Sequence, residues 1–178
     1  MSDAFKLATV SSAGSPRFVT LVLDEKSVAL NAVLLHVASA QKTPLDSGTM
    51  LGLLKQWERS FDVLSEAVAL VKKAGLQDKR WADAVAPIAG VKVHAPIPRP
   101  PKMFYAAINY PRPDRPPRDD KKDNIVRRPY MFEKTTSAVT GPYDDVVKPR
   151  GYTDIDGEVE LGVVIGKAGK SIPVERAM

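Results

Sequence analysis

The sequence contains no cysteine, only two histidines, and aromatic residues at just 7% of its 178 positions. Without cysteine there can be no disulfide, no thiolate nucleophile and no Cys-ligated zinc or iron-sulfur centre. With His36 and His94 the only imidazoles, a bound metal must draw mainly on oxygen donors. No run of about 18 apolar residues is present to span a bilayer, and the N-terminus lacks the basic segment followed by a continuous apolar stretch that marks a secretory signal. The expectation is a soluble cytoplasmic protein with no membrane partner. No glycine-rich phosphate loop occurs, because Gly162, Gly166 and Gly169 lack the spacing and the downstream helix of a dinucleotide fingerprint. A Ser/His/Asp triad is possible by composition, but no Gly-x-Ser-x-Gly elbow supports it.

What is present is a 44% hydrophobic content, enough for a real core in one domain or in a small domain followed by part of another. The formal charge of +5 would suit nucleic acid, but much of the basic character lies in Arg112 to Arg128, where seven basic residues are interleaved with four acidic ones. A mixed segment of that kind makes no basic helix face, so no nucleic-acid partner is expected. Steeply salt-dependent affinity would be the sign of such a binder.

Along the chain, Phe5 to Val10 and Arg17 to Leu23 alternate or run apolar on either side of the turn-forming Ser11 to Pro16, and so predict a β-hairpin. Asp24 to Lys26 then turns into a third strand, Ser27 to Leu30, followed by a stretch of helical character through Gln41. From Thr49 to Ala74 the residues Leu54, Trp57, Phe61, Leu64, Val68 and Val71 recur at spacings of three and four and predict one helix. Asp46 or Ser47 is the expected N-cap, and Lys72, Lys73 and Gly75 suit its C-terminal end. Pro96-Ile97-Pro98-Arg99-Pro100-Pro101 can neither continue a helix nor pair fully in a sheet, and marks a domain boundary between residues 1–100 and 101–178. Beyond it, Lys102 to Ile108 has the apolar run of a buried strand. Pro111 to Arg128, with four prolines and many charges, predicts an exposed mobile loop, and order returns at Pro129 to Phe132. Glu158 to Gly166 predicts another strand, and Ile172 to Met178 the first turn of a helix with Ser171 as N-cap.

In Asp156-Gly157-Glu158-Val159-Glu160-Leu161, strand spacing places Glu158 and Glu160 on one face. Like charges so close favour a shared proton or cation, and hard oxygen ligands select magnesium, manganese or calcium. A solvated strand face with two exposed glutamates is the alternative.

The order of motifs in the second half is more specific. Asn109-Tyr110 closes a strand, Met131-Phe132-Glu133-Lys134 precedes Ser137-Ala138, Gly141-Pro142 and Pro149 follow, then Glu158 to Lys167, then Ile172 to Met178. This succession over residues 101–178 resembles the fumarylacetoacetate hydrolase family, with residues 1–100 similar to the small variable domain that precedes the catalytic one. The resemblance implies an α+β protein, in which a small N-terminal β-hairpin and helix domain is followed by the start of a mixed, β-rich roll. It implies a homodimer and a divalent-metal-dependent hydrolase that cleaves a carbon-carbon bond in a small diketo or 2-oxo acid. Glu158 and Glu160 match the family's Glu-x-Glu metal motif. Lys134 matches the lysine beside the bound oxo acid, where an ammonium pairs with the substrate carboxylate and stabilises a developing enolate. Asn109 and Tyr110 match a dipeptide that contacts substrate, and a buried aromatic beside a strand-ending amide is the competing account.

Two departures bear on the reaction. The family's third carboxylate lies further along than Met178, so the resemblance implies a chain that is the leading part of a longer protein. Many hydrolytic members also place a histidine shortly after Asn-Tyr to activate water, whereas Pro113 stands there and no histidine occurs between Asn109 and Lys134. Asp114, Asp119, Asp120 and Asp123 are the bases available in that segment. Tautomerisation, isomerisation or decarboxylation of an oxo acid needs no water nucleophile and is the alternative activity, with a non-catalytic relative and a basic nucleic-acid binder as rivals of other classes.

Overall fold

A computed structural model describes residues 5–107 and 130–177. The chain is a mixture of helix and antiparallel strand, an α+β arrangement, and divides into two compact units. One comprises the residues up to Ile97 together with those from Thr140 onward, and the other Pro98–Val139.

The first unit is built on a five-stranded antiparallel sheet, whose strands in spatial order are 85–87, 26–29, 18–23, 6–11 and 92–94. Strands β1 (Lys6–Ser11), β2 (Phe18–Leu23) and β3 (Lys26–Ala29) form a meander, as their alternation requires. Leu23 pairs with Lys26 across a two-residue turn, where Asp24 and Glu25 both adopt positive φ (47° and 61°). A primed turn of this kind matches the twist of the flanking strands. Thr20, fully buried in the central strand, donates its hydroxyl to the Val28 carbonyl at 2.7 Å, so its hydroxyl is not left unpaired. Leu30, expected to end the third strand, instead begins helix α1 (Leu30–Leu34), which is followed by α2 (Ala38–Lys42). The α2 N-terminus is tied down by Glu66, whose carboxylate accepts from the Ala38 amide at 3.1 Å and from the Ser39 hydroxyl.

The long helix expected over Thr49 to Ala74 is two helices, α3 (Met50–Leu54) and α4 (Trp57–Ala74), with Lys55 and Gln56 between them. The Ser60 hydroxyl donates to the Leu53 carbonyl at 2.8 Å across the break, joining the Gln56 amide, which donates to the same oxygen at 3.3 Å. Thr49, rather than Asp46 or Ser47, caps α3 by accepting from the Gly52 amide at 3.0 Å. Glycine is required at 52, because a Cβ there would collide with the backbone and carboxyl group of Asp46. Helix α4 buries Ser60, Val63, Leu64, Ala67, Val68 and Val71, a stripe at spacings of three and four that joins Val19, Leu21, Val28, Leu30, Val33 and Trp81 in one core. Trp57 and Phe61 pack with Phe5 in a three-ring cluster, with centroids 5.5 to 6.5 Å apart. The helix ends where Gly75, at φ +84°, donates its amide to Val71 O at 2.8 Å. Two short strands complete the sheet, β4 (Val85–Pro87) beside β3 and β5 (Lys92–His94) beside β1.

The expectation of a strand over Glu158 to Gly166 is corrected. Residues 151–173 carry neither helix nor strand, and Val159 to Ile165 are exposed. A strand exists only where a neighbour takes up its alternating N–H and C=O groups. Among the described residues none does so here. The segment meets the body of the unit at α4: Lys167 Nζ pairs with Glu58 Oε1 at 2.6 Å, and a Cβ on Gly166 would lie 2.9 Å from the Trp57 ring. At its end, Val174–Arg176 form one 3-10 turn in place of the expected α-helical turn.

Among the described residues of the second unit there is one antiparallel pair, β6 (Phe104–Ala107) with β7 (Tyr130–Glu133), in the register Phe104 with Glu133 and Tyr105 with Phe132. The Lys134 amide donates to the Met103 carbonyl at 3.0 Å and extends this ladder by one step.

Candidate functional site

Lys134 stands one residue beyond β7, where the pleat repeats every second residue. Its side chain therefore shares a face with Phe132 and Tyr130, and across the ladder with Tyr105. The Lys134 ammonium lies over the Tyr105 ring, 4.6 Å from its centroid, and that ring packs on Phe132 with centroids 5.6 Å apart. Lys134 is exposed and Tyr105 half-buried. The sequence did not single out Tyr105. The available signal was the pairing of two strands that were each legible but whose register was not.

Glu158 and Glu160 are both exposed and lie in the segment without regular structure, within the other unit. Just before them the Gly157 amide donates to Asp156 Oδ1 at 2.9 Å. Two carboxylates are hard donors of the kind magnesium, manganese or calcium takes, but too few for a full protein shell. Among the described residues no three histidine, aspartate or glutamate side chains converge to hold a metal ion. Asn109, Tyr110, the four loop aspartates and the whole expected mobile loop lie outside the described residues.

The other charged groups serve the framework. His94 is buried, 8% exposed, and shares a 2.8 Å hydrogen bond between Nε2 and Ser11 Oγ that ties β5 to β1. Burial pushes its pKa below the ordinary histidine value, and the positive charges of Arg17 and Lys92 push the same way against Asp144. Asp144 accepts from the Gly141 amide at 2.8 Å and pairs with Lys92 at 3.1 Å, and both contacts lower its pKa. Asp78 is held at about 2 by the hydrogen-bonded Arg80 guanidinium.

Residues 102–178 match the model of the fumarylacetoacetate hydrolase C-terminal domain. The chain belongs to the fumarylacetoacetate hydrolase family. It is 37% identical over 133 residues to the human protein named oxaloacetate tautomerase FAHD2A, mitochondrial, and 34% identical over 130 residues to the Bos taurus protein of that name. Each match takes in 73% of this chain and 37% of the relative. A fumarylacetoacetate hydrolase domain-containing protein 2 homolog of Dictyostelium discoideum is 30% identical over 172 residues, 93% of this chain and 51% of that protein. The chain thus spans about a third to a half of these relatives. Their names also overturn the expectation of a cytoplasmic protein, since the human and bovine family members are both designated mitochondrial. No helix among the described residues is long and apolar enough to cross a membrane.

Proposed function

We propose that this family member contributes to an oxo-acid tautomerase that moves a proton between carbon and oxygen in a small 2-oxo acid such as oxaloacetate. The observation that carries this reading is the 34 to 37% identity, across 73% of the chain, to proteins named oxaloacetate tautomerase. The absence of histidine between Asn109 and Lys134 agrees with it. In such a reaction the C3–H bond breaks, its electron pair forms the C2–C3 double bond, and the carbonyl oxygen takes a proton. No water is consumed. Hydrolytic carbon-carbon cleavage, the activity in the family's name, needs an activated water as well, and therefore a base aimed at it.

Lys134 is the proposed cation, pairing with the substrate carboxylate and with the oxygen that gains charge. Its effect on rate comes from the part of that attraction that grows toward the transition state. Asn109 and Tyr110 are the proposed substrate contacts, and the base is sought among Asp114, Asp119, Asp120 and Asp123. Glu158 and Glu160 are the residues proposed to hold magnesium or manganese, with calcium the third candidate. A bound cation of this kind supplies Lewis-acid polarisation of the oxo group. The division at residue 100, a β-rich roll for the catalytic part, a homodimer and a mitochondrial compartment complete the proposal.

The deciding experiment compares keto-enol interconversion of oxaloacetate with cleavage of acylpyruvates by the full-length protein at saturating magnesium. Rapid interconversion with cleavage slower by about 10² or more, the scale of general-base assistance, is expected. Efficient cleavage would overturn the tautomerase reading. The metal site is tested separately by calorimetry, where Glu158→Gln with Glu160→Gln should abolish magnesium or manganese binding, and unchanged affinity would remove both residues from the site.

A further inference from the structure

We infer that Tyr105 is a positioning residue for Lys134, its aromatic ring holding the ammonium in the orientation the oxo acid meets. The inference rests on the reading of Lys134 as the cation of the site. Three features of the second unit lead to it. The backbone bond from Lys134 N to Met103 O, 3.0 Å, places Lys134 opposite Met103 and so diagonal to Tyr105 on the same face of the ladder. The ammonium is 4.6 Å from the Tyr105 centroid, inside the range in which a ring face attracts a cation. The ring is itself braced, because Phe132 lies directly across the ladder from Tyr105 at 5.6 Å, and Tyr130 packs on Phe132 at 6.4 Å.

An exposed lysine otherwise distributes its four-carbon stem over many rotamers, and a substrate that needs one of them must select it. A ring fixed by the strand pairing narrows that distribution before the substrate arrives. The contact uses the ring face and not the phenol hydroxyl. Phenylalanine should therefore replace tyrosine, while an aliphatic residue of equal strand propensity should not.

The test has one arm that is independent of catalysis. In the full chain carrying labelled lysine, with Lys134→Arg used for assignment, the Lys134 ε-methylene protons should be shifted upfield by the Tyr105 ring current. The shift should persist in Tyr105→Phe and vanish in Tyr105→Ile or Tyr105→Leu. An ordinary Lys134 position in the unsubstituted chain would overturn the inference without any Tyr105 variant having to fold. The second arm measures oxaloacetate tautomerisation by the full-length protein. Tyr105→Ile should lower kcat/KM by about three- to tenfold, the scale of one cation–π contact, while Tyr105→Phe stays within twofold of the starting protein. The Tyr105→Ile loss should disappear in a Lys134→Met background, because the ring then has nothing to position. If Lys134→Met costs activity but Tyr105→Ile does not, the inference fails and the reading of Lys134 stands. Full activity in Lys134→Met would instead overturn that reading and this inference with it.

Discussion

Residues 5–97 and residues 151–177 use the same apolar side chains to opposite ends. In the first stretch Val10, Leu21, Val28, Leu64 and Val68 are almost wholly buried, whereas in the second Val159, Leu161, Val163 and Ile165 face solvent. Composition does not separate them. The difference is that β1, β2 and β3 pair with one another beneath the helices of a common core, while the later segment, which meets α4 at Trp57 and Glu58, pairs with no strand among the described residues. Apolar residues become a core only where backbone pairing and a covering layer are both supplied.

The contrast can be broken most directly by truncating one side chain from each stretch. Leu64→Ala, at a position with no exposure, should cost about 2 to 5 kcal/mol in denaturant unfolding. Val163→Ala, 71% exposed, should fall within about 0.5 kcal/mol. Equal losses would mean that the later segment is packed as well.

A smaller effect should come from His94, and its sign follows from a pKa held below the unfolded value of 6.5. The folded state binds fewer protons, so the stability that His94 contributes is present above pH 6.5 and is lost as pH falls through the lower folded value. Arg17, Lys92 and Asp144 are the charged groups that act on it. Unfolding free energy measured from pH 7 to pH 5 should decline less steeply in His94→Gln than in the parent, and a steeper decline would reverse the assignment.

The smallest effect belongs to the Lys167 and Glu58 pair, which joins the later segment to α4 through side chains 77% and 76% exposed. Such pairs gain little over their hydrated partners and are screened by salt. Lys167→Ala should leave the thermal midpoint unchanged at physiological ionic strength. A clear drop in the midpoint would make this contact an anchor and weaken the contrast between the two stretches.

What the sequence disclosed follows the same division. The three-strand meander and the α4 stripe were legible because alternation and 3.6-residue periodicity are local patterns. The break at Lys55 and Gln56 was hidden, since Leu54 and Trp57 keep the helical phase across it. Strands β4 and β5 were missed because three residues, one of them proline in β4, are too few to show a period. The apolar run after Glu158 disclosed a demand for burial, but no local pattern reports whether a partner strand answers it. Lys134 was singled out by the motif order alone, and its contact with Tyr105 was not legible, because strand register is a long-range property.

The place of β5 in the sheet has a consequence for synthesis on the ribosome. Strand β1 is the first to emerge, yet one of its two neighbours is β5, and the Thr9 hydroxyl finds its acceptor on Pro96, 87 residues later. Until that stretch has left the exit tunnel, β1 remains an open edge that any passing strand could occupy. Closing the sheet with β5, the last of its strands in chain order, thus defers its completion until the chain has been made as far as Pro96, and brings the start of β1 and the end of β5 together at one end of the sheet.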